Sequence, residues 1–325
     1  MNRNFAVGCL CIAMATLIFS SMEVVLKHPA LAGAFHPLQI TMERFLVGGL
    51  CLIPVAAHTL KKKGVSLTGQ DLAYFAMTGF LNVCLGMVLF QLAVTVGQAN
   101  IVAVIFSGNP IFVTVLAAII LHETIRWNNI LALVFEILGI LVIVNPFGSS
   151  QVSLLSVALT VLSALLFALY AVLGKKKTAR VGSLVVTCCS FLFGSLELCA
   201  LLLLGHLEPV AAALQSAGLD LFAKVPFFQG ITRESLPCFL FVGIVNTAAG
   251  YVFHMLAIEK TSAIYGSLVF FFKPILAPIF ALLILGESIT PTILLGIAMF
   301  LAGSLLGIIP AILRNRHSKE VPVHE

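Results

Sequence analysis

The chain has 325 residues, 60% of them hydrophobic and only 10% charged, with a formal charge of +5. A water-soluble domain runs near half apolar and about a quarter charged, so this balance excludes one. The basic residues fall in short runs at the ends of apolar segments rather than in a stripe with interleaved aromatics, which excludes nucleic acid as a partner.

A helix crosses a ~30 Å hydrocarbon core with ~20 apolar residues. Ten stretches reach that length, at about 5–26, 36–58, 72–94, 99–121, 127–146, 152–174, 183–205, 236–257, 262–285 and 290–313. The first is long enough to span and lacks a small-residue cleavage site, so it reads as a span rather than a signal peptide. Most connections are short. The exception, 206–235, carries Glu208, Asp220, Lys224, Arg233 and Glu234, and its segment Val210 to Phe222 reads either as an interfacial helix or as a plain loop. The expected fold class is an all-α membrane protein, with the lipid bilayer as its first partner.

Loop charge sets the expected orientation. With the amino terminus in the cytoplasm, thirteen Lys/Arg fall on the cytoplasmic side: Arg3, Lys61 to Lys63, Arg126, Lys175 to Lys177, Arg180, Lys260, Arg314, Arg316 and Lys319. Three fall opposite: Lys27, Lys224 and Arg233. The asymmetry predicts a multi-pass protein of the cell (inner) membrane with both termini cytoplasmic.

The eight cysteines are scattered through apolar segments, with no C-x-x-C pair and no His at zinc spacing. His122-Glu123 begins H-E-x-x, but Arg126 stands where the second His belongs. Gly174-Lys175 lacks the rest of a phosphate-binding loop. No metal and no cofactor are expected. An intramembrane enzyme would need a converging catalytic set, which these residues do not supply.

The two halves repeat. At an offset of 164, Asn82 falls on Asn246, Gly86 on Gly250, Ala93 on Ala257, Phe106 on Phe270, Pro110 on Pro274, Glu123 on Glu287 and Gly139 on Gly303. Matched Asn, Pro and Glu are hard to obtain by chance in apolar helices. The first two spans align less well, with Phe19 near Phe167 and Phe45 near Phe191. Two five-span units follow, 1–147 and 152–313, with 314–325 as a cytoplasmic tail. A second copy of an odd-numbered unit enters the membrane from the opposite side. The ten helices are therefore expected as two inverted five-helix repeats, an arrangement typical of secondary transporters with a central solute site.

Several of these residues carry a resemblance. Gln91-Leu92-Ala93, Pro110, Leu121-His122-Glu123 and Gly139 in the first half are followed by Leu256-Ala257, Pro274, Leu285-Gly286-Glu287 and Gly303 in the second. With Arg44 in the second span, the pattern resembles the drug/metabolite transporter superfamily, in particular its ten-span group with two EamA-type domains. The chain departs from that group in the long 206–235 loop and at His122, where glycine is more usual. The resemblance implies export of an amino acid or related metabolite, and a peripheral place for span 5, which makes Glu136 a poor solute ligand.

Ionisable groups within spans are costly, so each calls for a reason. Glu23 lies one helical turn from Lys27 and either pairs with it or faces a cavity. Arg44 follows Glu43 and suits a cavity or an interhelical bridge. Lys273 precedes Pro274 at the position matched by Asn109 before Pro110, where a proline frees a carbonyl and kinks the helix. Lys273 suits a carboxylate-bearing or otherwise anionic solute, or an ion pair with Glu23, Glu43 or Glu197. Asn82 and Asn246 suit solute binding or interhelical hydrogen bonds. His254, toward the cytoplasmic part of span 8, is either a packing residue or a carrier for a coupling proton. Glu123 and Glu287 sit at span ends, where capping or fixing a turn is their expected task. Gly303 and Gly307 form a G-x-x-x-G that serves packing within the chain or a homodimer.

The candidate translocation residues are therefore Lys273, Arg44, Glu23, Asn82, Asn246, Asn109 and His254. The expected function is alternating-access export of a small-molecule substrate, with a channel or lipid flippase of the same topology as the alternative.

Overall fold

The computed structural model of the chain describes residues 3–125, 127–144, 152–270 and 272–317. The junction between the two units, Arg126 and Lys319 lie outside the described residues. Among those described, every regular element is helical. Eight helices are long and apolar enough to cross a membrane: Phe5–Lys27, Pro37–Lys63, Gly69–Val96, Ala99–Leu121, Leu154–Val181, Ser183–Leu204, Leu236–Lys260 and Ala263–Leu285. These are spans 1–4 and 6–9. Spans 5 and 10 are the helices Trp127–Val144 and Pro291–His317, the latter running four residues into the expected tail.

Local sequence explains most boundaries. Span 2 starts where the His36 ring accepts from the Leu38 amide ahead of a proline-led turn, and stops at Gly64, whose left-handed backbone closes the helix. Burial pushes the His36 imidazole below its ordinary pKa, which keeps a neutral acceptor at that cap. Span 3 opens with a reciprocal capping box between Thr68 and Asp71.

Antiparallel contacts between matched spans show the inversion directly. In spans 2 and 7, Phe45 stacks edge-on against Phe191 at 4.7 Å, Cys188 donates to the Gly49 carbonyl, and Gly182 meets Thr59. In spans 5 and 10, Gly139 abuts Gly296 while Gly303 abuts Ala132. In spans 4 and 9, each start lies against the other's end. Each matched pair thus runs in opposite directions. A two-fold relation also puts equivalent side chains face to face, and four such pairs touch: Phe19 with Phe167, Phe45 with Phe191, Phe106 with Phe270, and Met87 with Tyr251. The fold is an all-α membrane architecture of two inverted five-helix repeats.

The repeats share their irregularities. Spans 3 and 8 each contain a π-helical stretch, Phe80–Met87 and Phe241–Ala249, which carry the matched Asn82 and Asn246. Spans 4 and 9 are each broken in two. The second pieces begin at Asn109 and Lys273, with Pro110 and Pro274 in their first turns. The expected proline kink is thus a full interruption, because proline fits a new first turn without an unmet N–H. Where span 9 unwinds, the Thr16 hydroxyl of span 1 donates to the Val269 carbonyl at 2.7 Å.

The 206–235 segment resolves into a helix, Glu208–Ser216, and a short 3-10 turn, Asp220–Phe222. It folds back onto the first unit. Gln39 donates to the Gln229 carbonyl, and the Phe228 amide donates to Glu43, which also accepts from Gln39.

Candidate translocation site

The centre of the molecule is aromatic. Phe19, Phe106, Phe167, Phe270 and Tyr251 pack with ring centroids 5.4–6.3 Å apart in mutual edge and stacked contacts. Because matched positions from both repeats meet there, the cluster lies on the two-fold relation. The residual cavity among these rings is only about 10 Å³.

Against this cluster sits one ion pair. The Lys273 ammonium contacts Glu23 Oε1, and both side chains are inaccessible to solvent. The same ammonium lies over the faces of Phe90, Phe106 and Phe270 at 4.8–5.9 Å. Glu23 Oε2 has no hydrogen-bond partner among the described residues. Breaking such a pair from one side leaves an uncompensated buried charge at a cost of about 3–5 kcal/mol.

Of the readings open for Glu23, pairing with Lys27 does not occur, and the ion pair with Lys273 does. Span 1 breaks at Ser21 and restarts at Met22, and Glu23 turns into the core while Lys27 stays at the rim. Lys27 instead donates to the Gly97 carbonyl and lies 3.5 Å from Glu287.

Arg44 is fully buried, stacks on Phe45 and reaches Met22 Sδ and Thr247 Oγ1 at 3.6 and 3.5 Å. It bridges spans 1, 2 and 8. Its Nε and Nη2 have no hydrogen-bond partner among the described residues. Asn246 Nδ2 donates to the Ile18 carbonyl and to Ser21 Oγ, tying span 8 to the break in span 1. Asn109 Nδ2 donates to the Ala164 carbonyl of span 6. Asn82 is fully buried, with its side chain against the Tyr251 hydroxyl.

His254 lies in the last third of span 8, as expected, and still reaches the aromatic centre. It stacks on Phe167 at 5.2 Å and touches Phe19 and Phe270, with both ring nitrogens unpartnered among the described residues. In the repeat it occupies the position of Phe90, so an aromatic-sized ring is what the packing requires there. Lys273, Glu23 and His254 thus meet the aromatic centre. Asn109 and Asn246 hold helices together nearby, and Arg44 joins the centre through Phe45.

Two residues read from sequence as local caps act across the repeats. Glu287 accepts from the amides of Ala99 and Asn100 at 2.8 and 2.9 Å, closing the start of span 4. Its match Glu123 accepts from the amides of Ala263 and Ile264 at 3.0 and 3.3 Å, closing the start of span 9. Carboxylates suit these sites because a helix start presents unpaired N–H groups and positive potential.

Hollows open on both faces. On the Glu123 face a cavity of about 430 Å³ reaches from His122 and Lys175 inward to Pro110. On the Glu287 face two hollows, about 490 and 260 Å³, flank Lys27. Glu136, set aside in the sequence as peripheral, lines the first cavity and is almost wholly buried. Glu197 stays in span 7, away from Lys273, with Oε2 unpartnered among the described residues. No grouping of His, Cys, Asp and Glu able to hold a metal occurs among the described residues.

The model of the EamA-like transporter family matches residues 6–145 and again 154–309. The chain belongs to the EamA-like transporter family. An uncharacterized transporter of Clostridium kluyveri is 34% identical over 305 residues, 92% of each chain. A probable terminal-alkyne amino-acid exporter of Streptantibioticus cattleyicolor is 24% identical over 294 residues, covering 87% of this chain and 91% of that one. A solved crystal structure superposes with a TM-score of 0.64 at 15% identity, covering 94% of this chain and 98% of the other, a likeness of fold alone. As in other members of the EamA-like family, the chain is a multi-pass transmembrane protein of the drug/metabolite transporter superfamily. The family and the relatives' names indicate a transporter rather than an enzyme.

Proposed function

We propose that this EamA-like protein is a secondary transporter that exports a small amino-acid-like metabolite across the cytoplasmic membrane by alternating access. The observation that carries the reading is the position of the Glu23–Lys273 pair. It lies beside a closed aromatic centre where two inverted halves meet, with hollows on both faces. Inverted halves give two access states by exchanging conformations, and a site common to both must lie where they meet. A solute carboxylate entering there competes with Glu23 for Lys273 and for the aromatic-faced ammonium environment. Arg44 Nη2 and the His254 ring offer further polar atoms without partners among the described residues. His254, or Glu23 once released from Lys273, takes the coupling proton. The amino-acid class is supported by the name of the Streptantibioticus relative and by the need of Lys273 for an anion.

Loop charge supports cytoplasmic termini, which puts the Glu123 face in the cytoplasm. The test is flux of radiolabelled amino acids in proteoliposomes, with and without a proton gradient. Counterflow of at least one amino acid, lost in Lys273→Met, is expected. A protein that moves none in either direction overturns the proposal, and steady current or lipid scrambling points to a channel or flippase instead.

A further inference from the structure

The inverted repeat supplies an internal control: wherever the two copies share a backbone, a difference in side chains marks what one copy does and the other does not. At most matched positions in spans 4, 5, 9 and 10 the exchange is apolar for apolar. Around the large cavity it is not. In the register of the repeat, Thr114, Asn129 and Glu136 stand where the second copy has Pro278, Ile293 and Phe300, and Tyr265 stands where the first copy has Ile101. On the Glu287 face Ile293, Ile297 and Phe300 fill the space in one apolar cluster with Ile101, Ile105 and Ile143. The counterpart hollow there has Lys27, Gly97, Gln98 and Ile101 where the cavity has Lys175, Thr261, Ser262 and Tyr265, but stops short of span 10, at about 260 Å³. On the Glu123 face the same space is open, receives Thr114, Asn129, Glu136 and Tyr265, and measures about 430 Å³, within the ~300–1,000 Å³ of small-molecule pockets.

The charged groups of this cavity are mostly committed. Glu123 holds the amides of Ala263 and Ile264. Lys175 donates to the Ile258 carbonyl and, at 3.4 Å, to that of Glu259. Glu136 is different. It is 97% buried, it lines the cavity, and its Oε2 has no hydrogen-bond partner among the described residues. A carboxyl group withdrawn from water with nothing beside Oε2 keeps its proton, and gives it up to become a counter-ion when a ligand brings a cation there.

We infer that the cavity between spans 4, 5 and 9 is a binding site for a primary ammonium group, with Glu136 as its counter-ion and the polar side chains of Asn129 and Tyr265 beside it. The site is separate from the Glu23–Lys273 pair and does not depend on the transport reading. The ammonium belongs either to a soluble amine or to the ethanolamine headgroup of a lipid entering from the side.

The experiment is isothermal titration of the purified protein in phosphatidylcholine nanodiscs with tyramine and with its uncharged analogue 4-ethylphenol. Tyramine is expected to bind, and 4-ethylphenol to bind at least tenfold more weakly. Glu136→Gln keeps the shape and loses the charge, and is expected to weaken tyramine at least tenfold. Asn129→Ile, which copies Ile293, is a second route to the same loss should the first variant not fold. The double variant Glu23→Gln with Lys273→Met, which removes the central pair without leaving a lone buried charge, is expected to bind tyramine as the wild type does, so that failure of the central site and failure of this one are told apart. Repeating the titration with phosphatidylethanolamine in the nanodisc identifies the source: weakened tyramine binding means the headgroup competes, and unchanged binding means a soluble amine. Equal binding of the two probes, unaltered tyramine binding in Glu136→Gln, or none in the wild type overturns the inference.

Discussion

The two faces of this molecule are built from matched parts, yet they differ in how those parts are used. At the Glu287 face the carboxylate caps span 4 and also meets Lys27, while Phe300 and its isoleucine neighbours seal span 10. At the Glu123 face the carboxylate caps span 9 in the same way, but the space beside it stays open and lined by Glu136. The shared part is what a fold of two inverted copies needs at both ends. The unshared part is free to bind something. Between the faces, the aromatic centre differs most in charge: Lys273 and Glu23 stand opposite a neutral Asn109 bound to a backbone carbonyl.

The largest expected effect comes from removing that central asymmetry. Lys273→Met leaves Glu23 buried and alone, so thermal unfolding in detergent should show a loss of about 3–5 kcal/mol together with loss of flux. Adding Glu23→Gln to the same protein should restore much of the stability but none of the flux. Restoration of both would make the pair a structural tie and move the solute site elsewhere.

A smaller effect tests how equal the two copies are where helices touch. A Cβ on Gly194 would lie 2.5 Å from the Gly79 carbonyl oxygen, while one on the matched Gly48 would lie 3.2 Å from that of Gly243. Backbone cannot yield as a side chain does. Gly194→Ala should therefore cost about 1–3 kcal/mol and Gly48→Ala clearly less, read as shifts in the thermal midpoint. Equal shifts would show that the closer approach in the second pair is not maintained.

Next come the caps. Glu287→Gln and Glu123→Gln each replace a charged acceptor of two amides by a neutral one, at about 1–2 kcal/mol. Glu287→Gln should cost more, because Lys27 loses its partner too. A larger loss for Glu123→Gln would mean that the cavity, and not the cap, governs that residue.

Much of this was legible in the residues alone, and the misses share a cause. The repeat could be read because Asn, Pro and Glu matched at one offset, and five spans per copy then forced the inversion. The cross-repeat caps could not, because the partner of each carboxylate is a pair of backbone amides that leaves no trace in side-chain type. For Glu23 the spacing left two readings open, because both it and Lys27 lie in the one helix Met22–Lys27, and what decides between them is Lys273 of span 9, a partner that spacing along one helix does not show. The π-helical stretches around Asn82 and Asn246 were invisible because they change neither length nor hydropathy. Glu136 was the one with a usable signal: at the repeat offset it faces a phenylalanine, and a carboxylate matched to Phe300 is not a conservative difference.

The smallest effect concerns the residue where the chain departs from the glycine of its own second copy. His122 closes span 4 with φ 55°, and Gly286 closes span 9 with φ 69°. Left-handed backbone costs a residue with a Cβ about 1–2 kcal/mol, which glycine avoids. His122 lines the open cavity, whereas Gly286 has nothing within 4 Å of where a Cβ would be. His122→Gly should therefore raise stability by about 1 kcal/mol, and Gly286→Ala should lower it by a similar amount, both read from the thermal midpoint. If His122 were there only to end the helix, the stabilised variant would transport as well as the wild type. If the imidazole contributes to the cavity, flux should fall while stability rises, and that opposite movement separates a residue kept for packing from one kept at the expense of packing.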